Sequence, residues 1–165
     1  MVLGAASIVL GDTMIVIEAV DTGCWNALTG QLKVVTSAEC VDELRRGDVS
    51  GRGYVPVGDE DIRRAIVRDV PPEARVAFQL RYPDAQRLDA GERDLLAIAA
   101  DLAGDFFLCS CDKAAVVSAH SLGLLDRVVS LEALASSVGA RPGRPFRNQY
   151  SERILGVWRT SLLLS

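Results

Sequence analysis

Short apolar runs alternate with stretches of helical periodicity along most of this chain, and each run closes on a turn residue or an acid. Ser7 to Leu10 is a β-branched and aliphatic run cut short by Gly11-Asp12-Thr13, which predicts a buried first strand with Asp12 at its exit. Helical spacing follows from Thr13 to about Leu28, broken near Asp21-Thr22-Gly23. Lys33-Val34-Val35 predicts a second strand, and Thr36-Ser37-Ala38-Glu39 then has the Ser/Thr-x-x-Glu form of a capping box for a helix through Leu44. Gly47 to Val57 is the loosest loop of the chain. Beyond it, acids Asp59 to Asp61 precede Ile62, Ala65 and Ile66 at helical spacing, and Pro71-Pro72 closes that helix and opens another, which ends near Tyr82-Pro83. The clearest stripe is Leu95, Ile98, Ala99 and Leu102, on a helix that starts at Gly91-Glu92-Arg93-Asp94.

From there the alternation is regular. Phe106 to Cys109 reads as a strand, Asp112 to about Leu122 as a helix, Arg127 to Ser130 as a strand and Leu131 to Val138 as a helix. Strand and helix in alternation are the signature of a parallel sheet covered on both faces. A segment with two prolines and two glycines, Gly139 to Phe146, leads to a last amphipathic helix whose apolar face is Ile154, Leu155, Trp158 and Leu162. The expected organisation is a body over residues 1–140 and an arginine-rich linker and helix over 141–165 packed on that same body.

Composition narrows the picture. With 165 residues the chain can bury one sizeable core, and with 49% apolar but only 5% aromatic residues that core is aliphatic. Met1 to Ser7 carry no basic n-region, and the first apolar run is too short to span a membrane, so neither a secretory leader nor a membrane span is expected. Cys109 and Cys111 share one side of a strand at the limit of disulfide geometry, Cys24 and Cys40 stand apart, and no zinc spacing is present. Reduced thiols in a cytoplasmic protein follow. Residues 141–165 hold five arginines against Glu152 alone, a net +4 that leaves −8 for the rest of a chain whose total is −4. The only lysines are Lys33 and Lys113.

Four acids bear on chemistry. Asp12, Glu43, Asp94 and Asp112 stand where an apolar run meets a turn, or on or at the start of a helix. In an open α/β sheet the loops beyond the carboxyl ends of the strands share one crevice, so acids distant in sequence can meet there. Gathered carboxylates repel one another, and a hard divalent ion with a preference for oxygen relieves that repulsion. Other chemistries find little footing. Gly51-Arg52-Gly53 lacks the following glycine and the strand-to-helix setting of a dinucleotide site, and no phosphate-binding Gly-Lys-Ser/Thr loop exists. The single histidine, His120, sits late in a helix without a nucleophile-elbow motif elsewhere, and Met14 occupies the place where an Asp-x-Asp phosphotransferase needs its second acid. A phosphoacceptor receiver domain wants an acid pair after the first strand, and only Asp12 is there.

In these pieces the chain resembles the PIN-domain nucleases, which include the ribonuclease toxins of bacterial toxin-antitoxin pairs. The resemblance runs from about Ile8 to Ala133. It is carried by Ile8-Val-Leu-Gly-Asp12-Thr13, by Val34-Val-Thr-Ser-Ala-Glu-Cys-Val-Asp-Glu43-Leu44, by Gly91-Glu-Arg-Asp94-Leu-Leu-Ala-Ile-Ala and by Phe107-Leu-Cys-Ser110-Cys-Asp112-Lys113. The resemblance implies a three-layer α/β/α sandwich with a central, mostly parallel sheet. It also implies a Mg²⁺- or Mn²⁺-dependent endoribonuclease in which Asp12, Glu43, Asp94 and Asp112 form the acidic site. Glu92 rivals Asp94 as the third acid, because two residues so spaced at a helix start face different ways. Thr13, Ser110 and Lys113 are the expected substrate contacts. RNA is the implied substrate, a small antitoxin protein the implied partner, and a homodimer a further expectation. Three departures, Gly11 before the first acid, Met14 after it and no further acid between Asp112 and Asp126, motivate the alternative of an inactive PIN-like RNA- or protein-binding module.

Overall fold

A computed structural model describes residues 3–4, 6–47 and 55–165. Five strands form one sheet among the described residues: β1 (Ile8–Gly11), β2 (Lys33–Ser37), β3 (Ile66–Arg68), β4 (Phe106–Cys109) and β5 (Val128–Val129). The order across the sheet is β3-β2-β1-β4-β5, and every pairing is parallel. The chain therefore works outward from β1 to one edge through β2 and β3, then crosses back to the other side of β1 for β4 and β5. That reversal makes the gap beyond the carboxyl ends of β1 and β4 the switch point at which open parallel sheets place their crevice.

Helices cover both faces. They are α1 (Thr13–Asp21), α2 (Trp25–Gln31), α3 (Ala38–Arg46), α4 (Asp59–Ile62), α5 (Pro72–Arg81), α6 (Ala90–Asp101), α7 (Lys113–Ser121), α8 (Leu131–Ser137) and α9 (Glu152–Leu163). Strand alternation sorts the two cores. Leu10, Phe106 and Leu108 point into one, with Leu95, Leu96, Val116 and Phe78 from α5 to α7, while Val9, Phe107 and Cys109 point into the other with Ile15, Val16, Leu28 and Leu134. The expected α/β/α sandwich with a parallel central sheet is what the chain forms.

Most expected elements stand within a residue or two of their place. The break near Asp21-Thr22-Gly23 ends α1 because Gly23 takes φ +76° and lets its N–H reach back to the Val20 carbonyl. Two details differ. The cap of α3 is Ser37, whose hydroxyl accepts from the Cys40 N–H, one residue later than the expected box. The helix expected through Ile66 stops at Ile62, and Ile66–Arg68 pairs instead with Val35–Ser37 as an edge strand. All three of its residues are exposed, so no alternation of burial marked it beforehand. Of the loop expected over 47–57, residues 48–54 lie outside the described residues, and so does Gly51-Arg52-Gly53.

The C-terminal segment folds back onto the body. Arg144 and Arg147 both close on the fully buried Glu18 of α1, at 2.9 and 2.6 Å, and Arg144 also bonds Asp21. Burial pushes the Glu18 carboxyl up, but the two guanidiniums and the Arg147 N–H outweigh it and hold the group below its ordinary value. These arginines are thus structural partners of an acid in α1. Leu155 of α9 enters the first core, with Trp158 and Leu162 packed against it. Among the described residues no helix is long and apolar enough to cross a membrane.

Candidate active site

Asp12 follows β1 and Asp112 lies three residues past β4, strands paired with Gly11 opposite Cys109, so the fold brings both acids to the same end of the sheet at the switch point. Each also starts a helix. The Asp12 carboxylate caps α1 by accepting from the Ile15 N–H at 2.9 Å, and Asp112 caps α7 by accepting from Ala114 and Ala115. Capping fixes both side chains toward helix N-termini, where positive partial charge favours them. Their settings are otherwise unlike: Asp12 is buried and Asp112 is exposed.

Glu92, in the first turn of α6, stands within the field of these two acids. Burial raises its carboxyl to about 8, and the charges of Asp89, Asp12 and Asp112 add to the rise. Asp12 is pushed to about 6, by burial first, against hydrogen bonds from the Ile15 N–H and the Ser110 hydroxyl, with Asp89 adding repulsion. Asp89, which caps α6 by accepting from the Glu92 N–H at 2.9 Å, belongs to the same negative pocket. Burial is the larger cause of the rise in both groups, and neighbouring carboxylates add to it.

Asp94 stands elsewhere. Its two oxygens take Arg75 of α5 in a two-pronged pair, Nε to Oδ1 at 2.8 Å and a terminal nitrogen to Oδ2 at 2.7 Å. With only 3% of its surface exposed, Asp94 serves to bind α5 to α6. Of the two rivals at this helix start, Glu92 shares the field of Asp12 and Asp112, and Asp94 faces a different neighbour, as their separation of two residues requires.

Glu43 links the two sides of the site. One oxygen accepts from the Thr13 hydroxyl at 2.5 Å and the other from the Gly91 N–H at 3.0 Å, so it ties the residue after Asp12 to the residue before Glu92. Gly91 permits the approach: a Cβ there would lie 2.8 Å from Cys40 Sγ and 2.8 and 2.9 Å from the two Glu43 oxygens. Thr13 and Ser110 therefore do touch the acids, Thr13 holding Glu43 and Ser110 holding Asp12 and accepting from the Asp112 N–H at 3.2 Å. Lys113, exposed at the first turn of α7, borders a groove beside the site.

Sequence reasoning missed four contributors. Asp89 was signalled by Asp89-x-x-Glu92, an acidic variant of the helix-start pattern. Gly91 was visible as a glycine inside a helix start, but its reason, the approach of α3, was not. Arg75 left no signal, because its partner lies 19 residues away on another helix. Nor did Tyr150, which is buried with its hydroxyl 3.4 Å from the Met14 carbonyl. All four cysteines are free thiols.

The side chains of Asp12, Glu43, Glu92, Asp112, Thr13 and Ser110 offer carboxylate and hydroxyl oxygens, the donor chemistry of a hard divalent cation. Among the described residues, no three His, Cys, Asp or Glu side chains are gathered tightly enough to hold an ion as they stand. No protein-family model matches the chain, and no curated protein matches it.

Proposed function

We propose that this chain is a Mg²⁺- or Mn²⁺-dependent endoribonuclease that hydrolyses RNA phosphodiester bonds at the crevice of Asp12, Asp112 and Glu92. The observation that carries the reading is the delivery of Asp12 and Asp112 to the adjacent ends of β1 and β4, with Glu92 in the same field. Asp12, Glu92 and Asp112 would hold the cation, and Glu43 sets the distance between the walls through Thr13 and Gly91. A bound divalent ion supplies a water of lowered pKa and stabilises charge on the leaving oxygen. The chain's own part is to keep these carboxylates apart and oriented: the Ile15 N–H and the Ser110 hydroxyl fix Asp12, and the Ala114 and Ala115 N–H groups fix Asp112. No histidine is required, and His120 on α7 stays outside this scheme.

The test is cleavage of single-stranded RNA with and without Mn²⁺. Asn still caps a helix, so Asp12→Asn and Asp112→Asn preserve the fold while removing the charge. Cutting abolished in both variants is expected; cutting that persists unchanged in both would falsify the reading. A second reading, an inactive PIN-like binding module, is favoured by the carboxylates not closing into an ion cage as they stand. Manganese-dependent cutting by the wild type rules it out.

A cytoplasmic toxin with a small antitoxin partner, and self-association as a homodimer, complete the proposal. Four free thiols accord with a reducing compartment. Unaffected growth on expression of the chain, with no small protein co-purifying, removes the toxin part and leaves the nuclease reading standing.

A further inference from the structure

A groove of about 620 Å³ runs between the helical turn Pro83–Arg87 and the outer side of α7, lined by Asp84, Arg87, Lys113, Val117, Ser118 and Ser121. Each of its walls runs on along the chain to an acid of the candidate site. On one side Arg87 is two residues before Asp89, and on the other Lys113 directly follows Asp112. Arg87 and Lys113 are exposed, and among the described residues neither has a carboxylate within ion-pair distance, so two uncommitted cations flank the way to a strongly negative centre. The arginines of the C-terminal segment, by contrast, are engaged on Glu18, Asp21 and Glu152 in three of five cases. At its other end the groove shares Asp84, Ser118 and Ser121 with a smaller pocket of about 160 Å³ bounded by Phe78 and Tyr82, a half-buried ring with Phe78 tilted against it and the exposed Arg81 guanidinium over one face.

From this arrangement we infer that the groove carries a single RNA strand away from the acid pocket, with Arg87 and Lys113 each on its own backbone phosphate and a base against Tyr82. The inference rests on the ribonuclease reading for its choice of RNA. Two cations at the rim of an acid pocket resolve the difficulty that a polyanion otherwise meets there, since they hold the strand just outside the repulsive field. Phosphate contacts position a strand without reading it, and stacking on one ring tolerates any base. The groove should therefore contribute affinity with little sequence preference.

Binding is measured in EDTA, where no cutting occurs, with fluorescently labelled single-stranded RNA of mixed sequence, as a function of salt. The wild type is compared with the double variant Arg87→Gln/Lys113→Gln, with Tyr82→Leu and with Arg63→Gln/Arg64→Gln, a control that removes two exposed charges near β3. Neutralising one phosphate-binding cation flattens the slope of log K against log salt by about 0.7, so the groove variant should lose about 1.4 and the control much less. Tyr82→Leu should weaken binding about tenfold and leave the slope unchanged. Equal slopes in wild type and groove variant, or an equal loss in the control, overturn the inference, and so does a wild type that binds no RNA. Tighter binding of the matching DNA strand overturns the choice of RNA. RNA bound in this manner by a protein that never cuts it sinks the nuclease reading and leaves the groove in place.

Discussion

Gly91→Ala is the substitution in which local and tertiary preferences collide most directly. Taken alone, α6 should welcome alanine, which is better than glycine in a helix interior by about 1 kcal/mol. The new methyl would sit 2.8 Å from Cys40 Sγ and within 2.9 Å of both Glu43 oxygens, distances that real Cβ atoms do not tolerate. Glu43 is the flexible partner, but it can withdraw only by releasing the Gly91 N–H and the Thr13 hydroxyl. A hydrogen bond to a charged group is worth about 1.5–3 kcal/mol, and overpacking adds about 1–3 kcal/mol. With one of the two bonds lost and set against the helix gain, the net loss is about 1.5–5 kcal/mol.

For a domain of this size that loss lowers the melting temperature by roughly 3–20 °C. Urea denaturation of wild type, Gly91→Ala, Cys40→Ala and the double variant gives the coupling. Cys40→Ala removes one of the two clashing groups, so Gly91→Ala should cost at least about 1 kcal/mol less in that background. If Gly91→Ala is as stable as the wild type, or if its cost is the same with and without the Cys40 sulfur, the close approach of α3 to α6 is not what glycine serves here.

Three further outcomes are expected. Glu92 has a folded-state pKa raised to about 8 from an ordinary 4.5, so its contribution is fully present below about pH 4.5 and is lost as pH rises through 8. Glu92→Gln should therefore stabilise the protein at pH 8, by about 1–2 kcal/mol after allowance for solvent screening, and not at pH 4.5; denaturation midpoints at the two pH values that shift equally would contradict this. Glu18 has the opposite sign: its depressed pKa gives stability that is present above 4.5 and lost as pH falls through the folded value. Arg147→Ala should cost about 1–2 kcal/mol at pH 7 after the same allowance, with a gap that narrows below pH 4.5 as Glu18 is protonated in the variant, read by denaturation and by proteolysis of the 141–165 segment. Finally, Asp94→Asn should lower stability by about 1–3 kcal/mol through loss of the Arg75 pair while leaving Mn²⁺-dependent cutting measurable below its melting temperature, whereas Glu92→Gln should abolish cutting without lowering stability.

How far the sequence alone reaches depends on the range of the cause. β1, β2 and β4 announce themselves as apolar runs because a central parallel strand is buried on both faces, β5 at the edge by the buried Val128 of a short apolar run, and α6 by a stripe that must face one core. β3 carries no such mark, since an edge strand with every residue exposed has nothing to bury. The same division runs through the site. Asp12 and Asp112 were legible because strand exits and helix caps are local facts, and the topology of a parallel sheet then brings them together. Glu43, Glu92 and Asp94 were not separable, because which of three acids faces the crevice depends on whether an arginine 19 residues upstream takes Asp94 and on whether a glycine lets α3 come close. Asp94 shows the consequence most sharply. Its placement at a helix start fitted the acidic site as well as that of Glu92 did, and only a guanidinium on α5 distinguishes an acid that binds two helices together from one held near 8 by burial and its fellow acids. An acid's place in sequence therefore says that it can enter a crevice; the partner that the fold supplies decides whether it keeps its charge free for a ligand.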